Sequence, residues 1–355
     1  MRDVGDVRLD AVLLGVAPPV RGSVEALTGE RLAVRRPGRV DVHAQEPFLA
    51  GATDRPVLSS LDLQPHESAA VAPDGGFVVA GSAGLRAVTP WGAVRWELPH
   101  DPWHSGHRPP RPPGAPAVSP CGRHVAVVVP TLLADGDRGE AAVYDGPPRL
   151  RYGRDHLLLL DAVTGRIRAR RPVAAVSDRV SLCWRADAEA FAVSCWTAWY
   201  SWTTYWVRPG DEGMEVTGGT AFHEAVGFLP ASSRLLTMRR AEHLTLDDDR
   251  YELAWHDVSD PSLTETYDLG RLSWTPEEDD FADAHVLDAT RLLVTSDQVP
   301  REGPLEHTHW LLDAPALRPL GRLRYPVPVR GDVVPLADGT WLTCDKEATH
   351  HWSAG

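Results

Sequence analysis

Two dipeptides in this 355-residue chain, His66-Glu67 and His223-Glu224, place an imidazole beside a carboxylate. An imidazole titrates near neutral pH and binds metals; a neighbouring carboxylate can orient it or act as a base. Each dipeptide begins seven residues ahead of a short turn, and the same count from other turns reaches Val20, Pro113, Arg179, Asp280 and Arg330. Asp178, Asp279 and Asp332 stand close by. His, acid and Arg side chains gathered at one point suit a phosphate or carboxylate ligand. They suit a divalent metal if three donors converge within about 2.0–2.3 Å of it, with His66 and His223 as the candidates. They suit equally a mutually neutralising ion network that fills the space. No other cofactor is expected.

A second group is aromatic: Trp196, Trp199, Tyr200, Trp202, Tyr205 and Trp206 fall within eleven residues. Trp196 and Trp206 read as core. Trp199, Tyr200 and Trp202 read as a turn whose rings would anchor a peptide, a sugar or a flat apolar ligand. His100, His104 and His107 form a third cluster, followed by a proline run that suggests an extended, solvated segment. His350 and His351 read as structural. There is no GxSxG elbow, HExxH, phosphate-cradling glycine loop or EF-hand loop.

Composition narrows the classes. A net charge of −13 argues against duplex nucleic acid and anionic membrane surfaces, both of which call for a basic face. Lys346 is the only lysine, so Arg carries nearly all positive charge. The first residues lack a basic segment followed by an apolar run, and no stretch of 18 apolar residues occurs, so the expectation is a soluble, cytoplasmic protein. Cys121, Cys183, Cys195 and Cys344 show no CxxC spacing and read as free thiols.

The elements that must position these residues repeat. Ala70-Val71-Ala72-Pro73-Asp74-Gly75-Gly76-Phe77-Val78-Val79-Ala80 is a strand, a Pro-Asp-Gly turn and a strand. Weaker copies turn at positions 27, 120, 186, 230, 287 and 337. The 18 residues beyond the last turn and the 27 up to the first make 45, one normal repeat, which is the arithmetic of a ring whose last sheet is completed by the N-terminal strand. Residues about Arg8 to Gly15 would supply that strand, beside those around Trp341 and His350. With third and fourth strands such as Leu157–Ile167 and Pro90–Glu97, the expectation is an all-β, seven-bladed β-propeller of four-stranded blades, one domain over residues 1–355.

The Pro-Asp-Gly turn, the third strand ending Asp161-Ala-Val-Thr164-Gly165 and the Trp-bearing fourth strand resemble WD-repeat and quinoprotein-like β-propellers. The resemblance covers nearly the whole chain at the level of fold. The Gly-His and Trp-Asp signatures of true WD repeats are largely missing, with Trp255-His256-Asp257 the nearest approach. In such folds one face carries the loops between strands two and three and between blades. Long segments on that top face occur at Ala134–Asp155, Ala241–Arg250, Gln298–His307 and Asp101–Gly114. Long segments on one face of a repeat fold mark a binding face. The leading expectation is a binding or scaffold protein whose top face, across blades three to six, captures a protein or peptide partner. The alternative is an enzyme, a lyase, hydrolase or cyclase, acting on a small molecule through His66, His223 and the surrounding acids.

Overall fold

A computed structural model describes residues 7–53, 58–103, 116–133, 153–175, 177–197, 201–210, 213–239, 251–260, 264–272, 279–298, 306–336 and 338–355, a few of them by backbone alone. Among the described residues, apart from one short helix, Gln45–Leu49, and a 3-10 turn at Leu269–Arg271, the regular elements are strands.

Five sheets have four strands each, in sequence order. The first holds β2 (Ser23–Leu27), β3 (Arg31–Arg36), β4 (Arg39–Ala44) and β5 (Ser59–Asp62). The second holds β6 (Ser68–Val71), β7 (Phe77–Ala80), β8 (Gly84–Val88) and β9 (Val94–Pro99). The third holds β10 (Ala117–Val118), β11 (His124–Val129), β12 (Arg154–Asp161) and β13 (Ile167–Ala175). The fourth holds β14 (Ser177–Trp184), β15 (Phe191–Thr197), β16 (Ser201–Gly210) and β17 (Gly213–Ala221). The fifth holds β18 (His223–Phe228), β19 (Arg234–Arg239), β20 (Glu252–Asp257) and β21 (Thr264–Asp268).

The remaining strands are β22 (Asp279–Val286), β23 (Arg291–Gln298), β24 (Glu306–Asp313), β25 (Arg318–Arg324), β26 (Asp332–Pro335), β27 (Trp341–Cys344), β28 (Thr349–Ala354) and β1 (Arg8–Ala17). They form one eight-stranded sheet in the order β22-β23-β24-β25-β1-β28-β27-β26. The N-terminal strand runs antiparallel to the last one, with Leu13 opposite Trp352 and Val16 opposite His350. It also pairs in parallel with β25 over Arg8, Leu9 and Asp10. The repeat predicts two separate sheets here. They are joined because Gly321 lets β1 come close: a Cβ there would sit 2.7 Å from the Val7 carbonyl oxygen.

The repeating turn explains why these sheets form where they do. The amide of Gly75 donates to the Ala72 carbonyl, and the same bond recurs from Gly122 to Ser119, Ala188 to Arg185, Ser232 to Leu229 and Gly339 to Leu336. Gly75 and Gly122 take φ of +83° and +70°, which glycine adopts without steric cost. Ala188 holds φ +63° in the equivalent turn of the fourth sheet, where Asp187 accepts the Glu189 amide at 2.9 Å.

Two compact units divide the chain: Met1–Arg36, Val42–Val57 and Val226–Gly355 form one, and Pro37–Asp41 and Leu58–Ala225 the other. Within each, successive sheets pack face to face. In the first unit, Leu32, Val34 and Phe48 meet Val334, Leu336 and Leu342. Leu293 and Leu311 meet Trp341, Trp352 and Ala11 of β1. Leu236 and Trp255 meet Leu292, Val294 and Trp310. In the second unit, Val78, Leu85 and Trp96 meet Val125, Val127 and Leu158, while Ala126, Leu157 and Leu159 meet Phe191, Val193 and Met214.

Tryptophan serves these layers twice over. Its ring fills the gap between sheets, and its indole N–H donates to a backbone carbonyl of the neighbouring sheet. Trp96 reaches Ala162 at 3.0 Å, Trp184 reaches Ala117 at 3.2 Å and Trp255 reaches Ala314 at 2.7 Å. Among the described residues, no helix is long and apolar enough to cross a membrane.

Candidate functional site

Five of the residues singled out by register sit at or within two residues of the start of a first strand. His223 opens β18, Asp280 is the second residue of β22 and Arg179 the third of β14; His66 and Arg330 each stand two residues before a first strand. Their surroundings differ sharply.

His66 and Glu67 lie in the turn leading into β6, closed by a bond from the Glu67 amide to the Gln64 carbonyl at 3.0 Å. The Glu67 carboxylate folds back to accept the Gln64 amide at 2.9 Å. It also accepts two bonds from the Arg86 guanidinium of β8, one of them at 2.8 Å. The hydrogen bonds from Arg86 hold the Glu67 carboxyl below its usual range, and Glu67 in turn raises Arg86. His66 is half-buried, and its Nδ1 is buried without a hydrogen-bond partner.

These groups line a cleft of about 600 Å³, together with Ser82, Glu97 and Leu98. That volume falls within the range of small-ligand and peptide side-chain pockets, roughly 300–1,000 Å³. Its rim is the turn between β7 and β8, so it opens on the face that the repeat designates as the top. Arg86 is the residue that the sequence reasoning missed. Its signal was a lone Arg between buried Leu85 and Ala87, on a strand that shares a sheet with an acid.

His100 is anchored beside the same turn. Its amide donates to Ala83 at 3.1 Å, and the Trp103 amide donates to Ser82 at 2.9 Å. Burial lowers the His100 imidazole pKa, and its Nδ1 lies 2.6 Å from the Asp101 carbonyl oxygen. Asp101 accepts the Leu132 amide at 2.8 Å, so this stretch ties the second sheet to the third. His104 and His107 lie outside the described residues.

His223 is buried, at 8% exposure, within a chain of hydroxyls. Its carbonyl accepts Thr204 Oγ1 at 2.5 Å, Thr204 meets Ser194 Oγ at 2.7 Å, and Ser194 accepts the Ala225 amide at 2.8 Å. Two hydroxyls of the fourth sheet thereby fix the start of β18, and they were not visible as a pair in the sequence. Glu224 is half-buried. Burial, with a smaller contribution from Glu224, pushes the Cys183 thiol up to about 12. Asp155, 1% exposed, plays the equivalent role one sheet earlier by accepting the Ser177 amide at 2.7 Å.

The aromatic reading needs a correction. Trp202 is not an exposed loop anchor: it lies inside β16 opposite Trp196 and is 3% exposed. The ladder of β15 and β16 runs further toward the turn than hydrophobic pattern alone suggests, which draws Trp202 inward. The guanidinium of Arg179 sits 5.5 Å over its ring, so Arg179 covers an aromatic face. Trp206 is core as expected, and Gly218 makes room for it, since a Cβ there would lie 2.2 Å from the indole nitrogen. Trp199 and Tyr200 fall outside the described residues, as do positions 104–114, 134–152, 241–250 and 299–305 of the four long top-face segments.

In the other unit, Asp280 pairs with Asp297 across β22 and β23, and Arg330 is exposed. His351 lies 2.8 Å from Thr340 Oγ1 and His350 stacks on Trp352, so both are structural. No group of three His, Cys, Asp or Glu side chains among the described residues is placed to hold a metal.

No protein family matches the sequence, and no curated protein matches it. Solved structures do match at the level of fold. The Pan2 WD40 domain of Neurospora crassa aligns with a TM-score of 0.51 at 11% identity, over 99% of this chain and 96% of that one. BamB from Moraxella catarrhalis aligns with a TM-score of 0.50 at 10% identity, over 98% and 99%. A prolyl endopeptidase aligns with a TM-score of 0.53 at 11% identity; there the match covers 96% of this chain and 47% of the other. The chain therefore has the fold of a β-propeller, in which WD40 domains and BamB share. Identities this low carry the fold and nothing about activity.

Proposed function

We propose that the chain is a seven-bladed propeller, closed by β1 in its last blade, that works as a cytoplasmic binding or scaffold protein. The blade count is supported by five four-stranded sheets beside eight further strands, and closure by the pairing of β1 with β28. Four free cysteines suit a reducing compartment.

The top face, from the cleft of the second blade across blades three to six, captures a protein or peptide. The observation that carries this reading is the cleft itself. It is preformed, and it sets the Glu67–Arg86 ion pair, Glu97 and His66 beside apolar Leu85 and Leu98. Binding is favoured over catalysis because Arg86 donates to both oxygens of the Glu67 carboxylate and lowers its pKa, which makes it a poor proton acceptor.

The test is affinity capture with mass spectrometry on three proteins. One is intact, one carries His66→Ala with residues 134–152 replaced by a short Gly-Ser linker, and one carries Val163→Asp on the opposite face. A partner recovered by the first and third and lost by the second is expected. Equal recovery from all three would count against the proposal.

A further inference from the structure

The cleft of the second sheet carries an unbalanced charge. Its wall holds two carboxylates, Glu67 and Glu97, against one guanidinium, Arg86. Arg86 and Glu97 are cross-strand partners on β8 and β9, so their side chains share one face of the sheet. Arg86 nevertheless turns both terminal nitrogens to Glu67, with one bond at 2.8 Å. Those two groups neutralise each other at side-chain exposures of 28% and 10%. Glu97 is exposed, and no cation among the described residues forms an ion pair with it.

We propose that this cleft receives a lysine or arginine side chain of a captured peptide and pairs its cation with Glu97, an inference that rests on reading the top face as a peptide-binding surface. The charge fits: a cation beside Glu97 completes a row of alternating sign with Arg86 and Glu67. The shape fits as well. Leu85, Leu98 and Pro99 line the same cleft, and long basic side chains lay their methylenes along apolar surface while the charged head stays at a polar rim. A volume of about 600 Å³ has room for such a side chain and for the backbone that carries it.

An acidic side chain is the worse occupant. The charge of Arg86 is already balanced by Glu67, and Glu97 beside it repels a second carboxylate. The net charge of −13 also draws a basic segment toward the protein, and added salt weakens that attraction.

The probe is a display library of random peptides selected on the full chain, followed by calorimetric titration of the strongest binder. The enriched peptides should share a Lys or Arg. Affinity should fall about threefold or more in Glu97→Gln, and by a similar factor when one particular basic residue of the peptide is replaced by Gln. The two losses should not add, because each removes the same pair. Glu97 is exposed, so the substitution spares folding. Glu189→Gln removes an equal charge from the opposite face, where the side chain is 73% exposed, and should leave affinity nearly unchanged. Fully additive losses, or equal losses in Glu97→Gln and Glu189→Gln, overturn the proposal. Enrichment of peptides without Lys or Arg overturns it while leaving peptide capture standing; no enrichment at all overturns both.

Discussion

Trp352→Ala should cost about 3–5 kcal/mol of folding stability, the range for emptying a buried aromatic site. Trp352 is fully buried, packs at 4.8 Å against Tyr325 and donates its indole N–H to Thr343 Oγ1 at 2.9 Å. It also lies opposite Leu13, at the junction of the first and last strands. The substitution leaves a cavity and an unpaired hydroxyl, and it loosens the contact through which the chain's two ends share a sheet. Urea denaturation measures the effect, with Trp91→Ala as control. Trp91 is 86% exposed, and its removal should stay within about 0.5 kcal/mol. A loss below about 1 kcal/mol for Trp352→Ala would show that the head-to-tail sheet carries little of the stability.

The second large effect is acid sensitivity from two buried histidines. His256 is held near 4 by burial, with Thr237 Oγ1 at 3.0 Å from its Nε2. His309 is held near 3, chiefly by burial, with His307 and His285 adding repulsion and Tyr325 at 2.6 Å from Nδ1. Both folded values lie below the unfolded value of about 6.5. Their contribution is therefore full above pH 6.5 and is lost as pH falls toward 4 and 3. Each unfolded imidazole takes up one proton that the folded form refuses, worth up to about 1.4 kcal/mol per pH unit. Together they predict a loss of about 4 kcal/mol between pH 7 and pH 5, a window in which most carboxylates stay ionised. Denaturation across that window should show the slope, and His309→Gln should lessen the loss by about 2 kcal/mol. Equal slopes in the two proteins would contradict the assignment.

Much of this architecture is legible in the residues because a tight turn has few chemical solutions. Pro73-Asp74-Gly75 and Leu336 to Gly339 announce the hairpins, and counting back seven residues finds the starts of the first strands. The N-terminal strand was expected at residues 8–15 and occupies Arg8–Ala17. Its parallel pairing with β25 was not readable, since it depends on a close approach at Gly321 that periodicity does not encode.

The site is less legible, because side chains near a strand end gain their meaning from neighbours distant in sequence. His66 and His223 look alike on paper. One lines a cleft beside an ion pair, whereas the other is buried where Ser194 and Thr204 anchor its strand. Trp202 misled for the same reason: an aromatic near a turn is exposed or buried according to how far the ladder continues, and here it continues past it.

The claim on which the rest depends is that the first strand completes the last sheet. Val12 and Ser353 are cross-strand partners in that pairing. In a Cys121→Ser background, Val12→Cys with Ser353→Cys should form a disulfide in the folded protein and raise the unfolding free energy measured in urea by up to about 5 kcal/mol for so long a loop. Two thiols that stay free and titratable in the native state, with no gain in stability on oxidation, would contradict it.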